Sequence, residues 1–239
     1  MNQLLWAVML LFNFIAIMMA YRFWGKTGLY IWMPISVIVA NIQVTKTVML
    51  FGMEATLGNI VYATSFLATD ILSEYYGSEA AKKAVKIGFF SLVTMTILMQ
   101  FALIFESAPN DIAGASLQTV FGLMPRIALG SLVAYIISNL HDVFAFNFWK
   151  KRTKPLWIRN NFSTFVSQTI DSVLFTAIAF AGTYEMNVLI QIFVSTLVLK
   201  WIVAICDTPF MYLSRKWVRT GKIADLAQVE PLSGDQLLH

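Results

Sequence analysis

Charge is scarce in this chain. Asp, Glu, Lys and Arg make up 13% of its 239 residues, about half the share of a soluble domain. Cysteine is nearly absent. Cys206 stands alone in an apolar run, which excludes an internal disulfide and makes it a small packing residue. There are two histidines, His141 and His239, with no metal-ligand spacing between them. The Gly-Lys pairs at Gly25-Lys26-Thr27 and Gly221-Lys222-Ile223 lack the rest of a phosphate loop. Ala20 stands where the first would need its upstream glycine, and the second has no Ser or Thr after the lysine. No nucleophile–base motif is present. These absences exclude a disulfide scaffold, a zinc module and a nucleotide hydrolase. They leave the expectation of no enzyme activity, no metal and no cofactor.

Long hydrophobic runs are abundant. Hydrophobic residues are 58% of the chain, with nineteen Phe and twelve Met. The runs are far longer than the roughly ten-residue alternating segments of a membrane β-barrel. They predict an all-α integral membrane protein, a bundle of about seven helices at Leu4–Tyr21, Leu29–Met49, Leu57–Tyr76, Val85–Phe105, Ile127–Phe148, Phe162–Tyr184 and Val188–Leu213. Residues 1–220 form a single transmembrane domain, and 221–239 a short, poorly ordered cytoplasmic tail. The first run is expected to be a retained helix. No basic residue precedes it and no small-x-small cleavage site follows. Basic residues alternate between connections: Arg22 and Lys26; Lys82, Lys83 and Lys86; Lys150, Lys151, Arg152, Lys154 and Arg159; then Arg215, Lys216, Arg219 and Lys222. The intervening connections carry mainly Glu54, Glu106, Asp111 and Glu185. Retention of basic residues inside places the N-terminus outside and the C-terminus in the cytoplasm.

Polar residues recur inside these runs. Asp70 and Glu74 are four apart on one helical face, which extends back through Phe66 to Ala63 and Asn59. A charge at the centre of a spanning helix costs about 2.5–3.5 kcal/mol on insertion scales, so it points to function. At similar depths stand Asn41, Gln43 and Lys46 on the second run, and Asn139, His141 and Asp142 on the fifth. Gln168 and Asp171 lie on the sixth, and Lys200 and Asp207 on the seventh. Asp171 and Lys200 are suited to pair. The first and fourth runs, with few polar groups, read as lipid-facing scaffold. The candidate binding set is therefore Asn41, Gln43, Asp70, Glu74, Asn139, Asp142, Gln168, Asp171, Lys200 and Asp207. Trp32, Trp201, Phe175 and Tyr135 offer flat apolar faces. Carboxylates and amides beside aromatic rings suit a planar heterocycle with adjacent donors and acceptors, although an amino acid or an ion satisfies the same groups.

ANIQVTK at Ala40–Lys46, ATLGNIVYATSFLATDILSEYYG at Ala55–Gly77, SNLHDVFAFNFWKK at Ser138–Lys151, RNNFSTFVSQTIDSVLF at Arg159–Phe175 and LKWIVAICDTPFMYL at Leu199–Leu213 resemble, in order, the queuosine-precursor transporter family of the vitamin-uptake transporter group. The resemblance covers nearly the whole chain. It implies a multi-pass protein of the cell (plasma or inner) membrane that imports 7-deazaguanine precursors of queuosine (preQ0, preQ1 or queuine) for tRNA modification. Its partners would be that small molecule and the lipid bilayer, with no direct contact to nucleic acid. A homo-oligomer or a partner subunit is left open. The alternative reading is a substrate-binding subunit of a multi-component importer for another small heterocycle or vitamin.

Overall fold

The computed structural model describes residues 1–122, 125–152, 156–180, 182, 185–223 and 225–226. Helix α1 spans Asn2–Gln43, β1 Thr47–Leu50, β2 Met53–Thr56, α2 Gly58–Tyr75 and α3 Ser78–Ile104. A short α4 (Gly114–Leu117) runs into one π turn at Gln118–Gly122. It is followed by α5 (Pro125–Lys150), α6 (Leu156–Phe180) and α7 (Met186–Arg219). The protein is an all-α membrane protein: α1, α3, α5, α6 and α7 are each long and apolar enough to cross a bilayer.

Helix α1 has 42 residues, roughly 63 Å at 1.5 Å per residue, twice the hydrocarbon thickness of a membrane. It does not run straight. Gly25 has φ 54° and ψ −131°, a conformation open to glycine and hardly to any other residue. The chain breaks there, so the two apolar runs expected as separate helices are two halves of one bent element. Pro34 lies inside the second half, which has no non-helical residue. That half ends at Gln43, earlier than expected. Thr47–Leu50 and Met53–Thr56 instead form an antiparallel hairpin in the register Thr47↔Thr56 to Leu50↔Met53. Phe51 and Gly52 both take positive φ at its tip, as a two-residue turn requires to match strand twist. Lys46 and Met49 therefore belong to this connection and not to a spanning helix.

Helix α2 is the hub. It packs against α1, α3, α5, α6 and α7, and from Ile60 to Ser73 almost every residue is buried, polar ones included. A helix buried on nearly every side turns its polar residues toward neighbouring helices. Gly58 lets the start of α2 approach the end of α1, since a Cβ there would overlap the Ala40 carbonyl oxygen. Around α2, lipid-side apolar residues remain exposed, among them Ile97, Leu98 and Phe101 of α3, which fits the scaffold role read for that run. The first half of α1 likewise exposes an apolar face, with Leu4, Val8, Leu11 and Phe12 on it. It buries Phe14, Ile17 and Tyr21, and Phe14 stacks on Phe210 of α7 at 4.5 Å.

The two ends of the bundle differ. At one end Asn2 Nδ2 donates to the Met49 carbonyl of the hairpin at 3.2 Å, and Trp6 meets Phe51 edge-on. At the other, Lys150 Nζ donates to the Ser73 and Glu74 carbonyls at 3.1 and 2.5 Å, a cation at the C-terminal end of a helix. Lys26 and Lys83 lie over the Tyr30 ring. The first residues after α7 return to this end: Ile223 is fully buried, and Asp225 accepts from the Lys26 amide and the Tyr76 hydroxyl, both at 2.9 Å. The expected tail thus begins as a packed segment. Residues 227–239 lie outside the described residues, as do Lys154, Pro155 and Tyr184.

Candidate functional site

Polar side chains of α2, α5, α6 and α7 form a buried column with two layers. The spacing is in the sequence. Tyr62 and Thr69 on α2, Thr164 and Asp171 on α6, and Lys200 and Asp207 on α7 are each seven residues apart, two helical turns or about 10 Å.

The first layer centres on Asp171. Its Oδ2 pairs with Lys200 Nζ. Its Oδ1 accepts from Tyr62 Oη at 2.6 Å and from Ser138 Oγ at 3.2 Å. Asn139 Nδ2 donates to Tyr62 Oη at 3.3 Å and to the Tyr135 carbonyl at 2.9 Å. The Lys200 ammonium lies 5.3 Å from the Tyr62 ring centroid. Lys200 is 2% exposed and Asp171 4%, so each charge depends on the other; an isolated charge at this depth would be costly. A cavity of about 40 Å³ opens against this layer. Asn41, Asn59, Tyr62, Asp171 and Lys200 supply its polar walls, and Tyr135 and Phe175 its aromatic ones. Asn41 Nδ2 is tied to its own helix at the Val37 carbonyl, 3.0 Å away.

The second layer holds Asp70, Asp142 and Asp207, all buried. Thr164 Oγ1 donates to Asp70 Oδ2 and Thr69 Oγ1 to Asp142 Oδ2, each at 3.3 Å. Oδ1 of Asp70 and of Asp142 has no hydrogen-bond partner among the described residues. Asp142 and Asp207 are neighbours of Asp70. His141 Nδ1 shares a hydrogen bond with Ser167 Oγ at 2.9 Å, which makes it a helix–helix tie. Between the layers on α6 stands Gln168, fully buried, with neither amide atom partnered among the described residues. An unsatisfied buried amide costs about 1–3 kcal/mol, so it marks a place where a polar group is expected.

Of the ten expected residues, the structure brings Asn139, Asp171 and Lys200 together with Asn41 at the first layer. Asp70, Asp142 and Asp207 gather at the second, with Gln168 between. Two stand apart. Glu74 sits at the basic end of α2, 3.6 Å from Lys150, where it helps clamp α2 to α5. Gln43 is at the end of α1, outside the cavity lining. Of the flat faces, Trp32 donates to Thr64 at 3.1 Å and Trp201 packs on Phe165, both away from the cavity. Tyr62 and Ser138 were not anticipated. Tyr62 had a signal: stepping back by fours from Asp70 through Phe66 reaches it, whereas the step of three reaches Ala63. A second cavity of about 350 Å³, largely apolar, lies between α3 and α5 beside the π turn and shares Asn41 and Leu92 with the first.

A family model described as "Putative vitamin uptake transporter" matches residues 56–214, the segment from α2 to near the end of α7. The chain belongs to the vitamin uptake transporter family. It is 43% identical over 220 residues to a Bacillus subtilis (strain 168) protein named "Probable queuosine precursor transporter", covering 91% of this chain and 96% of that one. It is 28% identical over 131 residues to a Haemophilus influenzae protein of the same name, and 25% over 142 residues to the "Queuosine precursor transporter" of Escherichia coli (strain K12). These cover 54% and 59% of this chain, and 54% and 62% of the relatives. No solved structure matches. The column residues of α2, α5, α6 and α7 all lie inside the matched segment, and Asn41 of α1 lies outside it.

Proposed function

We propose that this protein imports a 7-deazaguanine precursor of queuosine across the cell membrane, and that the cavity at Asp171 is where it holds the base. The observation that carries the reading is the 43% identity, over nearly the full length of both chains, to the Bacillus subtilis relative of that name. The chemistry of the cavity agrees with it. A guanine-like edge presents a ring N–H beside an exocyclic amine, and a carboxylate accepts such a pair. Asp171 supplies that acceptor, with Lys200 paired to its Oδ2. Asn41 and Asn59 address the remaining polar edge, and Tyr135 and Phe175 the ring faces. Gln168 offers both a donor and an acceptor on the way to Asp70 and Asp142. Glu74 and Gln43 are left out of this assignment.

The chain crosses the membrane seven times in this reading. The halves of α1 cross separately, α2, α3, α5, α6 and α7 once each, and the basic end faces the cytoplasm by the retention of Lys and Arg. The test is uptake in cells that cannot make queuosine precursors, read as queuosine in tRNA after supplying preQ0, preQ1 or queuine singly at low concentration. Restoration by at least one is expected. An Asp171→Asn carrier present at normal level should lose most of that supply. Full supply by the variant would remove Asp171 from the site, and no restoration by any of the three in cells holding the wild-type protein would remove the substrate class.

A further inference from the structure

We propose that Tyr62 is a placeholder. Its hydroxyl occupies the acceptor that the substrate takes, and it withdraws when the substrate binds. The inference rests on the assignment of Asp171 as the substrate's acceptor and goes on to ask how that acceptor becomes available.

A carboxylate offers about four acceptor sites, two on each oxygen. On Asp171, Oδ1 already receives Tyr62 Oη at 2.6 Å and Ser138 Oγ at 3.2 Å. Oδ2 receives Lys200 Nζ and keeps one site. A side-by-side donor pair needs one site on each oxygen, so one of the two donors on Oδ1 has to leave. Ser138 is fully buried and is not part of the cavity wall. Tyr62 is part of that wall. The volume points the same way. About 40 Å³ is room for a few water molecules, not for a bicyclic ring, and Tyr62 is a bulky side chain beside the carboxylate. Its ring meets Phe66 at 5.8 Å and Tyr135 at 5.9 Å between centroids and lies 5.3 Å from the Lys200 ammonium, contacts that tolerate a change of tilt better than a hydrogen bond does.

The arrangement has a use in the empty protein. Without a substrate, a buried ion pair needs its remaining lone pairs satisfied. The phenol does this and yields to a ligand that supplies two donors in place of its one. Tyr62 is then a positioning residue, and its removal has an unusual sign. A residue that merely contacts substrate weakens binding when it is cut back; a placeholder strengthens it.

The experiment is equilibrium binding of 7-cyano-7-deazaguanine and of 7-aminomethyl-7-deazaguanine to the purified full-length protein in detergent. Tyr62→Phe is expected to bind about tenfold or more tightly than wild type, the worth of one hydrogen bond to a charged group that no longer has to break. The empty variant is expected to melt at a lower temperature. If Tyr62→Phe binds equally or more weakly while wild type binds, the placeholder is wrong and the proposed function stands. If wild type binds neither base, the proposed function fails and takes this inference with it. A second measurement covers the case of a variant that does not fold. 3-Fluorotyrosine placed at position 62 of the full chain should change its fluorine resonance when either base is added, and a resonance unmoved at saturating base overturns the inference.

Discussion

At the scale of single residues, the Asp171–Lys200 pair sets the terms for everything near it. Two charges this deep are tolerable only together. Removing one leaves the other unpaired, a loss of about 3–5 kcal/mol for buried pairs, whereas replacing both with neutral groups of similar volume is often close to neutral. Thermal unfolding in detergent should therefore rank the variants in a particular order. Asp171→Asn and Lys200→Met are each expected to melt well below wild type, and the double variant to lie above both. A double variant that melts as low as the sum of the singles would mean that the two charges do not support each other. The same residue scale explains what could be read without coordinates. The pairing was legible, because two opposite charges at matching depth in one bundle have few other partners. Tyr62 was not, because tyrosine in a membrane helix is usually an anchor or a packing group. Only the angular position of its neighbours on α2 tells which one it is.

At the scale of elements, the bend in α1 and the segment after α7 make one structure. Gly25 breaks the helix, and the second half restarts at Lys26 with its amide capped by Asp225 from the far end of the chain. Tyr76, just beyond α2, donates to the same carboxylate, and the Lys26 ammonium lies 5.5 Å from the Tyr76 ring centroid. Three elements are thus tied at one point. Gly25→Ala meets two obstacles: a positive φ, costing about 1–3 kcal/mol, and a Cβ that would overlap the Asp225 carboxylate. A lowered melting temperature is expected, only partly recovered when Asp225→Ala is added, since that change clears the overlap and not the backbone strain. Complete recovery would show that strain is not the cause. The tie also has a defined response to base. Burial, reinforced by the neighbouring Asp225, raises the Tyr76 hydroxyl above its ordinary pKa, so the folded protein favours its neutral, donating form. A group raised on folding stabilises fully below its unfolded pKa, about 10 for tyrosine, and that contribution fades as pH rises through its folded value. The stability difference between wild type and Tyr76→Phe should hold steady up to about pH 9 and shrink beyond about 10. A difference already shrinking at neutral pH would contradict the assignment. The hairpin after α1 was the element that sequence reading missed. Thr45-Lys46-Thr47 interrupts the apolar run only briefly before Val48-Met49-Leu50-Phe51 resumes it, and the turn is made by the paired positive φ at Phe51 and Gly52. That local signal is weaker than the run around it.

At the scale of the whole molecule, the path of the chain decides which side each end of the column faces. Asn2 is bonded to the hairpin and Lys26 to the segment after α7, so the first half of α1 runs from one end of the bundle to the other and the second half returns. Counting the halves separately gives an odd number of crossings and puts the termini on opposite sides. Counting α1 as one long tilted span would give an even number and put them together. The basic residues at the bend favour the first count: Arg22 and Lys26 then share one side with Lys82, Lys83, Lys150, Lys151 and Arg152, as the retention of positive charge inside expects. The prediction needs three probes in a Cys206→Ser background, so that no other thiol reacts. Ser107→Cys, in the exposed connection after α3, should react with a membrane-impermeant maleimide on intact cells. A cysteine at Lys151, exposed between α5 and α6, should react only after permeabilisation. A tag placed before Met1 should be reached by antibody from outside. If the tag is reached only after permeabilisation while Ser107→Cys labels directly, α1 does not cross twice. Helix α1 would then be one long span with its bend at Gly25 inside the bilayer, while Asn41 would keep its side of the membrane, because an external Ser107 fixes the sides of α2 and α3 and with them the hairpin.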